Sequence, residues 1–161
     1  MAGNPEPRFA CDAMLGGLAR WLRAAGYDAY WQEGITDPEL ILLCQKEGRI
    51  LLSCDTKLFL FRVLRDNLLP ALFVPLRRNP QEQLAHVLAK GNLPLRPPRC
   101  MTCGGNLVEV PKETLRDRVP PRTFAWLDQF WECNRCQRLF WHGTHWQRIR
   151  EQLQRAAASQ T

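Results

Sequence analysis

The sequence has no hydrophobic run long enough to cross a membrane. Its first residues, MAGNPEPRFACDAM, lack the basic segment and apolar stretch of a signal peptide, so we expect neither feature. It has no segment that repeats at a fixed period, which argues against a repeat array. Seven cysteines are present, four of them at metal-ligand spacing, and this usage predicts reduced thiols in a cytoplasmic protein.

Length and charge limit the class of protein. The chain has 161 residues, enough for one moderate domain and a small metal-stabilised one. Its formal net charge is +6, and four metal-bound thiolates with one Zn²⁺ would lower this to about +4. The remaining positive charge is compatible with a polyanionic partner.

Two C-x2-C pairs are the most specific motif in the sequence. Their members are Cys100, Cys103, Cys133 and Cys136. Four thiolates in two such turns match a structural zinc site, and the long gap between the pairs predicts an inserted loop. Two disulfides or four unrelated thiols are the alternatives. Four cysteines suffice for Zn²⁺, so His142 and His145 are expected to form hydrogen bonds or contact phosphate instead.

The first half of the chain alternates between strand and helix patterns. The predicted strands are residues 8–11, 27–31, 49–54 and 68–76, and the predicted helices are residues 13–26, 37–47, 56–66 and 80–90. This alternation predicts an α/β fold with a mainly parallel sheet and helices on both faces.

A proline-rich segment divides the chain. We predict an α/β domain over residues 7–92, a linker over residues 93–99, and a zinc ribbon with a C-terminal helix over residues 100–150.

Three aspartates stand where strands give way to helices. Asp12 and Asp55 each follow an apolar strand, and Asp37 stands at the start of the helix between them. The carboxyl ends of parallel strands meet at one edge of a sheet, so the three carboxylates are expected to converge there. Such a cluster favours Mg²⁺ or Mn²⁺, which could activate water against a phosphodiester. Alternatively, each aspartate is an ordinary helix N-cap, and Asp37 fits that role best.

Several basic residues could contact a phosphate backbone. They are Arg20, Arg23, Lys57 and Arg62 on the helices after Asp12 and Asp55, and Arg118 and Arg122 on the loop of the ribbon. Solvated helix faces are the alternative for these side chains. Aromatic residues of the ribbon are expected mainly to pack, although one or two could stack on unpaired bases.

These motifs together resemble the Mut-7 C-terminal RNase domain family, a branch of the PIN-like nucleases with a C-terminal zinc ribbon. The resemblance runs from about Phe9 to Ile149 and is carried by CDAMLGGLARWLRAAGYDA, ITDPEL, ILLSCD, the C-x2-C pairs, VPPR and FWHGTHW.

The resemblance implies a PIN-like three-layer α/β/α domain that cleaves RNA with a divalent metal ion, and a ribbon that assists substrate binding. It implies an acidic site of Asp12, Asp37 and Asp55, with Ser53 orienting the last carboxylate. Lys57 departs from the family pattern, since many PIN-like proteins have another acid there.

The sequence therefore predicts a metal-dependent, endonucleolytic ribonuclease that uses Mg²⁺ or Mn²⁺ and carries structural zinc. A non-catalytic RNA-binding or adaptor protein, with a site silenced by Lys57, is the alternative, and a protein-interaction ribbon beside an inert α/β unit is a third reading. The residues themselves do not indicate an oligomeric state, but PIN-like relatives often pair, so the resemblance makes a homodimer one possible assembly.

Overall fold

A four-stranded parallel sheet organises the first half of the chain. The computed structural model describes residues 6–76 and 79–159. The strand order is β2-β1-β3-β4, and all neighbouring strands are parallel. The strands are β1 (Phe9–Cys11), β2 (Ala29–Tyr30), β3 (Ile50–Ser53) and β4 (Ala71–Phe73). The predicted alternation and parallel sheet are therefore confirmed.

Helices cover both faces of this sheet. They are α1 (Gly16–Ala24), α2 (Asp37–Glu47), α3 (Arg62–Arg65) and α4 (Pro80–Gly91). Successive strand side chains point to opposite faces, so Cys11 and Leu52 join the core beneath α1 and α4, whereas Ala10 and Leu51 join the core beneath α2 and α3. The three-layer α/β/α prediction is confirmed.

Several predicted elements are shorter in the structure, and two of them have a clear physical cause. The predicted helix over residues 56–66 is a 3-10 turn (Leu58–Leu60) followed by α3, because Phe61 adopts an extended backbone conformation with ψ 135°. The predicted strand over residues 68–76 is reduced to β4, which lies between Pro70 and Pro75. Proline lacks the N–H that a sheet ladder requires.

Thr36, rather than Asp37, is the N-cap of α2. Its side chain accepts a hydrogen bond from the backbone N–H of Glu39, and the Glu39 carboxylate accepts one from the backbone N–H of Thr36. This reciprocal capping box provides acceptors for two backbone N–H groups at the start of the helix. The Asp37 carboxylate is consequently left for another role.

The cysteine-containing unit is an antiparallel three-stranded sheet. Its strands are β5 (Leu107–Val110), β6 (Phe130–Cys133) and β7 (Leu139–Phe140), in the order β5-β6-β7. The long insertion between β5 and β6 holds a 3-10 turn (Lys112–Leu115) and α5 (Pro121–Trp126). The small core of the cysteine-containing unit is formed by Leu115, Val119 and Phe130.

The terminal helix α6 (Thr144–Ala158) packs on the α/β unit, although the sequence assigned it to the ribbon. Its buried residues Ile149, Leu153 and Ala156 belong to the same core as α1 and α4. This apolar stripe has helical spacing, but spacing alone does not say which surface covers it. In the described residues, no helix combines the length and apolar character needed to span a membrane.

The predicted linker, residues 93–99, is docked against the α/β unit by hydrogen bonds. The Arg96 N–H donates to the Ala25 carbonyl, and the buried Tyr27 hydroxyl donates to the Pro94 carbonyl. Gly26 has φ +97°, and a Cβ there would lie 2.5 Å from the Cβ of Arg96. Glycine is therefore required where the linker crosses the end of α1.

Candidate active site and metal centre

The parallel register brings Asp12 next to the end of β3. Cys11 pairs with Leu52, and the Asp12 N–H donates to the Leu52 carbonyl at 2.9 Å. Asp12 immediately follows β1, while Asp55 lies two residues beyond β3. Both aspartates therefore lie at the carboxyl edge of the sheet, where open parallel sheets bind ligands.

Asp12 is buried and held by hydrogen bonds to both oxygens. Its Oδ1 accepts from the Met14 N–H at 2.8 Å, and its Oδ2 accepts from the Ser53 hydroxyl at 2.6 Å and the Cys54 N–H at 3.0 Å. The side chain thus caps the 3-10 turn Ala13–Leu15, as the alternative reading expected. A carboxylate has about four lone-pair sites, so Oδ1 keeps one for a further partner.

Ser53 supports Asp12 instead of the Asp55 carboxylate. Its buried hydroxyl donates to Asp12 Oδ2 and accepts the backbone N–H of Asp55 at 3.0 Å. The family resemblance implied that Ser53 orients the Asp55 carboxylate, and the hydrogen bonds do not show that role. Ser53 instead fixes one carboxylate and the backbone that carries the other.

Asp55 lies half-buried at the same edge. Its Oδ1 accepts the Lys57 N–H at 2.9 Å, while its Oδ2 has no hydrogen-bond partner in the described part of the chain. Lys57 is exposed, and its described contacts do not include an ion pair with any of the three aspartates. The lysine that departs from the family pattern thus leaves these carboxylates without a directly bound counter-charge.

Asp37 is electrostatically coupled to the other two aspartates. Partial burial raises the pKa of the Asp37 carboxyl, and the negative charges of Asp55 and Asp12 raise that pKa further. Among the described residues, none of the three forms an ion pair with lysine, arginine or histidine. The edge of the sheet therefore carries uncompensated negative charge, which a bound cation would relieve.

The spacing of the carboxylates limits how they could hold an ion. Among the described residues, the cysteine group is the only cluster of three or more metal-ligating side chains, with ligand atoms within 4.8 Å of one another, so the three aspartates do not form a comparably compact group. Direct binding of one Mg²⁺ by three carboxylates would bring their oxygens within about 4.2 Å. Mg²⁺ commonly keeps several waters and uses one or two carboxylates directly, so it does not require a compact group of three carboxylates.

The four cysteines of the C-x2-C pairs form a compact thiol cluster. The Sγ atoms of Cys100 and Cys136 are 3.7 Å apart, and those of Cys103 and Cys133 are 3.4 Å apart. These separations exceed a disulfide bond length of about 2.05 Å and approach those around a tetrahedral Zn²⁺ with bonds of about 2.3 Å. All seven cysteines are free thiols, so the cluster could hold a structural metal ion such as zinc.

Backbone N–H groups favour a thiolate at Cys133. Burial would raise the pKa of the Cys133 thiol, but hydrogen bonds from the Cys136 and Arg135 N–H groups lower that pKa to about 7. At the other turn, the Gly105 N–H donates to the Sγ of Cys103, but burial and the neighbouring thiols raise the pKa of Cys103 to about 12. Thiolates are the form that binds metal, so Cys133 is the thiol that its hydrogen bonds prepare for an ion.

Arg23 is not part of a phosphate-contacting surface, contrary to the sequence prediction. Its side chain is buried, and its guanidinium donates to the carbonyls of Ala29 at 2.9 Å, Met101 at 3.1 Å and Thr102 at 3.1 Å. It thereby ties α1 to the first cysteine turn. The signal in the sequence was its position four residues after Ala19, on the buried face of α1.

The other predicted basic residues lie at the surface. Arg20, Lys57 and Arg122 are exposed, while Arg62 pairs with Asp66 at 3.4 Å. Arg118 bonds to the Glu132 carboxylate at 2.6 Å and the Gln137 carbonyl at 3.1 Å. Contact with phosphate stays a prediction for these five residues. A phosphate at Arg62 or Arg118 would have to compete with the carboxylate that already pairs with that arginine.

Comparison with known proteins identifies a family for nearly the whole chain. The model of the Mut7-C RNAse domain family matches residues 7–153. Searches of curated proteins and of solved structures gave no match.

Proposed function

Because the chain belongs to the Mut7-C RNAse domain family, we propose that it is a divalent-metal-dependent ribonuclease. The hydrolysed bond would be an RNA phosphodiester at the cluster of Asp12, Asp37 and Asp55. The observation that carries this assignment is the position of Asp12 and Asp55 at one carboxyl edge of the parallel sheet, near Asp37, in a cluster that lacks described ion pairs. An anionic substrate would be repelled there without a cation.

The three carboxylates have different roles in this proposal. Asp12, fixed by Ser53 and Cys54, presents the remaining lone pair of Oδ1, and Asp55 presents its unpartnered Oδ2. Asp37, which is not a helix cap, approaches from the start of α2. A Mg²⁺ or Mn²⁺ held there would lower the pKa of a bound water and neutralise charge on the scissile phosphate.

An endonucleolytic reaction agrees with the partial exposure of two of the three carboxylates at the edge of the sheet. Asp37 and Asp55 are only partly buried, and none of the three aspartates lines the large cavity elsewhere in the molecule. An open edge does not require a chain end to enter. Exposed Arg20, Lys57 and Arg122 supply positive charge that could position the RNA backbone.

The test compares two isosteric variants with a matched control. Asp37→Asn and Asp55→Asn remove charge from partly buried positions, whereas Asp117→Asn removes the same charge from an exposed position in the ribbon insertion. We expect Mn²⁺- or Mg²⁺-dependent cleavage of a circular single-stranded RNA to be lost in the first two and retained in the control. A circular substrate has no ends, so its cleavage also establishes endonucleolytic action. Equal cleavage by all three variants would refute the acidic site.

A non-catalytic RNA-binding or adaptor protein is the second candidate. It is favoured by Lys57, which stands where the family resemblance implies an acid, and by the lack of a compact carboxylate group among the described residues. Salt-dependent RNA binding with no products in either metal would support it. The cytoplasmic location and the homodimer stay predictions, because no described contact tests them.

A further inference from the structure

A second concave site lies apart from the acidic cluster. A cavity of about 670 Å³ is enclosed by α1, residues 97–102, the ribbon and the start of α6. This volume is in the range of small-ligand sites, about 300–1,000 Å³. The side chains that line it include Arg20, Arg99, Trp131, His142 and Trp146.

Aromatic rings form a stack in the wall of this cavity. The rings of Trp131 and His142 lie 4.5 Å apart at 26°, and those of His142 and Trp146 lie 5.8 Å apart at 14°. His142 is exposed, while the two tryptophans are partly buried. Near-parallel aromatic rings at a solvent-accessible site are the surfaces on which unpaired nucleobases stack.

The charge of the wall complements a phosphate. Its lining residues include two arginines and two histidines but neither aspartate nor glutamate. Arg20 is exposed, and its guanidinium forms no hydrogen bond or ion pair with another described residue. Arg99 donates through Nε to the Gly104 carbonyl at 2.9 Å, and its terminal nitrogens remain available. An apolar peptide would not require these cations, whereas a nucleotide would.

We propose that this cavity binds one unpaired nucleotide of the RNA, with its base against the Trp131–His142–Trp146 stack and its phosphate at Arg20 and Arg99. The inference rests on the proposed function, because RNA is the substrate there. Arg20 lies eight residues after Asp12, on α1, which follows the 3-10 turn that Asp12 caps. A single strand held in the cavity therefore has a short path to the acidic cluster, and the enzyme selects unpaired RNA.

The test measures binding without cleavage. The double variant Arg20→Gln/His142→Ala removes one charge and one ring from the cavity. The control, Arg150→Gln/Trp126→Ala, removes one arginine charge and one aromatic ring from exposed positions that do not line the cavity. Fluorescence anisotropy follows a short labelled single-stranded RNA with the zinc retained and no added Mg²⁺ or Mn²⁺. We expect the cavity variant to bind at least about fivefold more weakly and the control to match the wild type.

Two further probes ask whether the base is recognised. A blunt duplex of the same sequence and a single strand with abasic positions keep the phosphates but remove the accessible bases. Both are expected to bind the wild-type protein more weakly than the intact single strand. Equal affinity of the two double variants, or of the duplex and the single strand, overturns the proposal. Base-dependent binding without cleavage in Mn²⁺ or Mg²⁺ would instead sink the proposed nuclease activity and leave the cavity assignment standing.

Discussion

Arg23→Met removes the buried connection between α1 and the first cysteine turn. The methionine keeps an unbranched apolar stem but has no hydrogen-bond donors. Three hydrogen bonds are lost, and the carbonyls of Ala29, Met101 and Thr102 lose their charged partner. The substitution therefore tests whether this guanidinium attaches the cysteine unit to the α/β unit.

The magnitude follows from those three bonds. A hydrogen bond to a charged group contributes about 1.5–3 kcal/mol, so three contribute at least about 4.5 kcal/mol. Removing the penalty for burying the charge offsets part of this loss. We expect a net loss of about 3 kcal/mol. At about 2–4 °C per kcal/mol for a chain of this size, the melting temperature should fall by about 6–12 °C.

The assay is urea and thermal unfolding followed by circular dichroism, with bound zinc measured in parallel. Arg20→Met is the matched control, because it makes the same change on the same helix at an exposed side chain. The control is expected to unfold within about 0.5 kcal/mol of the wild type. If Arg23→Met unfolds as the control does, the buried network does not stabilise the protein and the assigned role is wrong.

Three further changes test the metal centre, the docked linker and the acidic cluster. Cys103→Ser should abolish stoichiometric zinc binding and unfold the ribbon, measured by metal analysis and near-ultraviolet circular dichroism; full zinc retention would contradict the four-cysteine site. Gly26→Ala should destabilise the fold by more than about 1 kcal/mol, because the residue has φ +97° and its new Cβ would meet Arg96. The control Gly34→Ala, at φ +72° with open space around the Cβ, should lower the free energy of unfolding by less in the same urea titration. Burial, and then the charges of Asp55 and Asp12, raise the pKa of the Asp37 carboxyl. The native state therefore binds the Asp37 proton more tightly than the unfolded state does, and the protein loses stability as pH rises through the native pKa. Asp37→Asn should therefore stabilise the protein at neutral pH but not below the unfolded pKa of aspartate, and a pH-independent effect in chemical unfolding would contradict the coupling.

The parallel sheet could be predicted from the sequence because the pattern of apolar residues in its strands matches the way those strands are packed. Ala10 and Cys11, like Leu51 and Leu52, are apolar on successive positions, as strands buried on both faces must be. The cysteine group was equally clear, since two short turns bring thiols together with little help from the rest of the fold. The placement of Asp12 and Asp55 at one edge followed from the same topology.

Other features could not be predicted from local patterns. Thr36 and Asp37 are both acceptable N-caps, and the choice depends on the reciprocal bonds with Glu39. Ser53 could support either neighbouring carboxylate, and only the pairing of β1 with β3 directs its hydroxyl to Asp12. Arg23 resembles a surface arginine until the cysteine turn supplies its carbonyl partners.

The sequence by itself determined the order of strands and helices and the identity of the thiol ligands, because both depend on residue types at short, fixed spacing. The tertiary structure alone decided that α6 covers the α/β core, that the segment before the cysteines is docked, and that aromatic and basic side chains enclose a cavity beside α1. These features join residues far apart in the chain. Their energy comes from complementary surfaces and hydrogen bonds that exist only after the chain has folded.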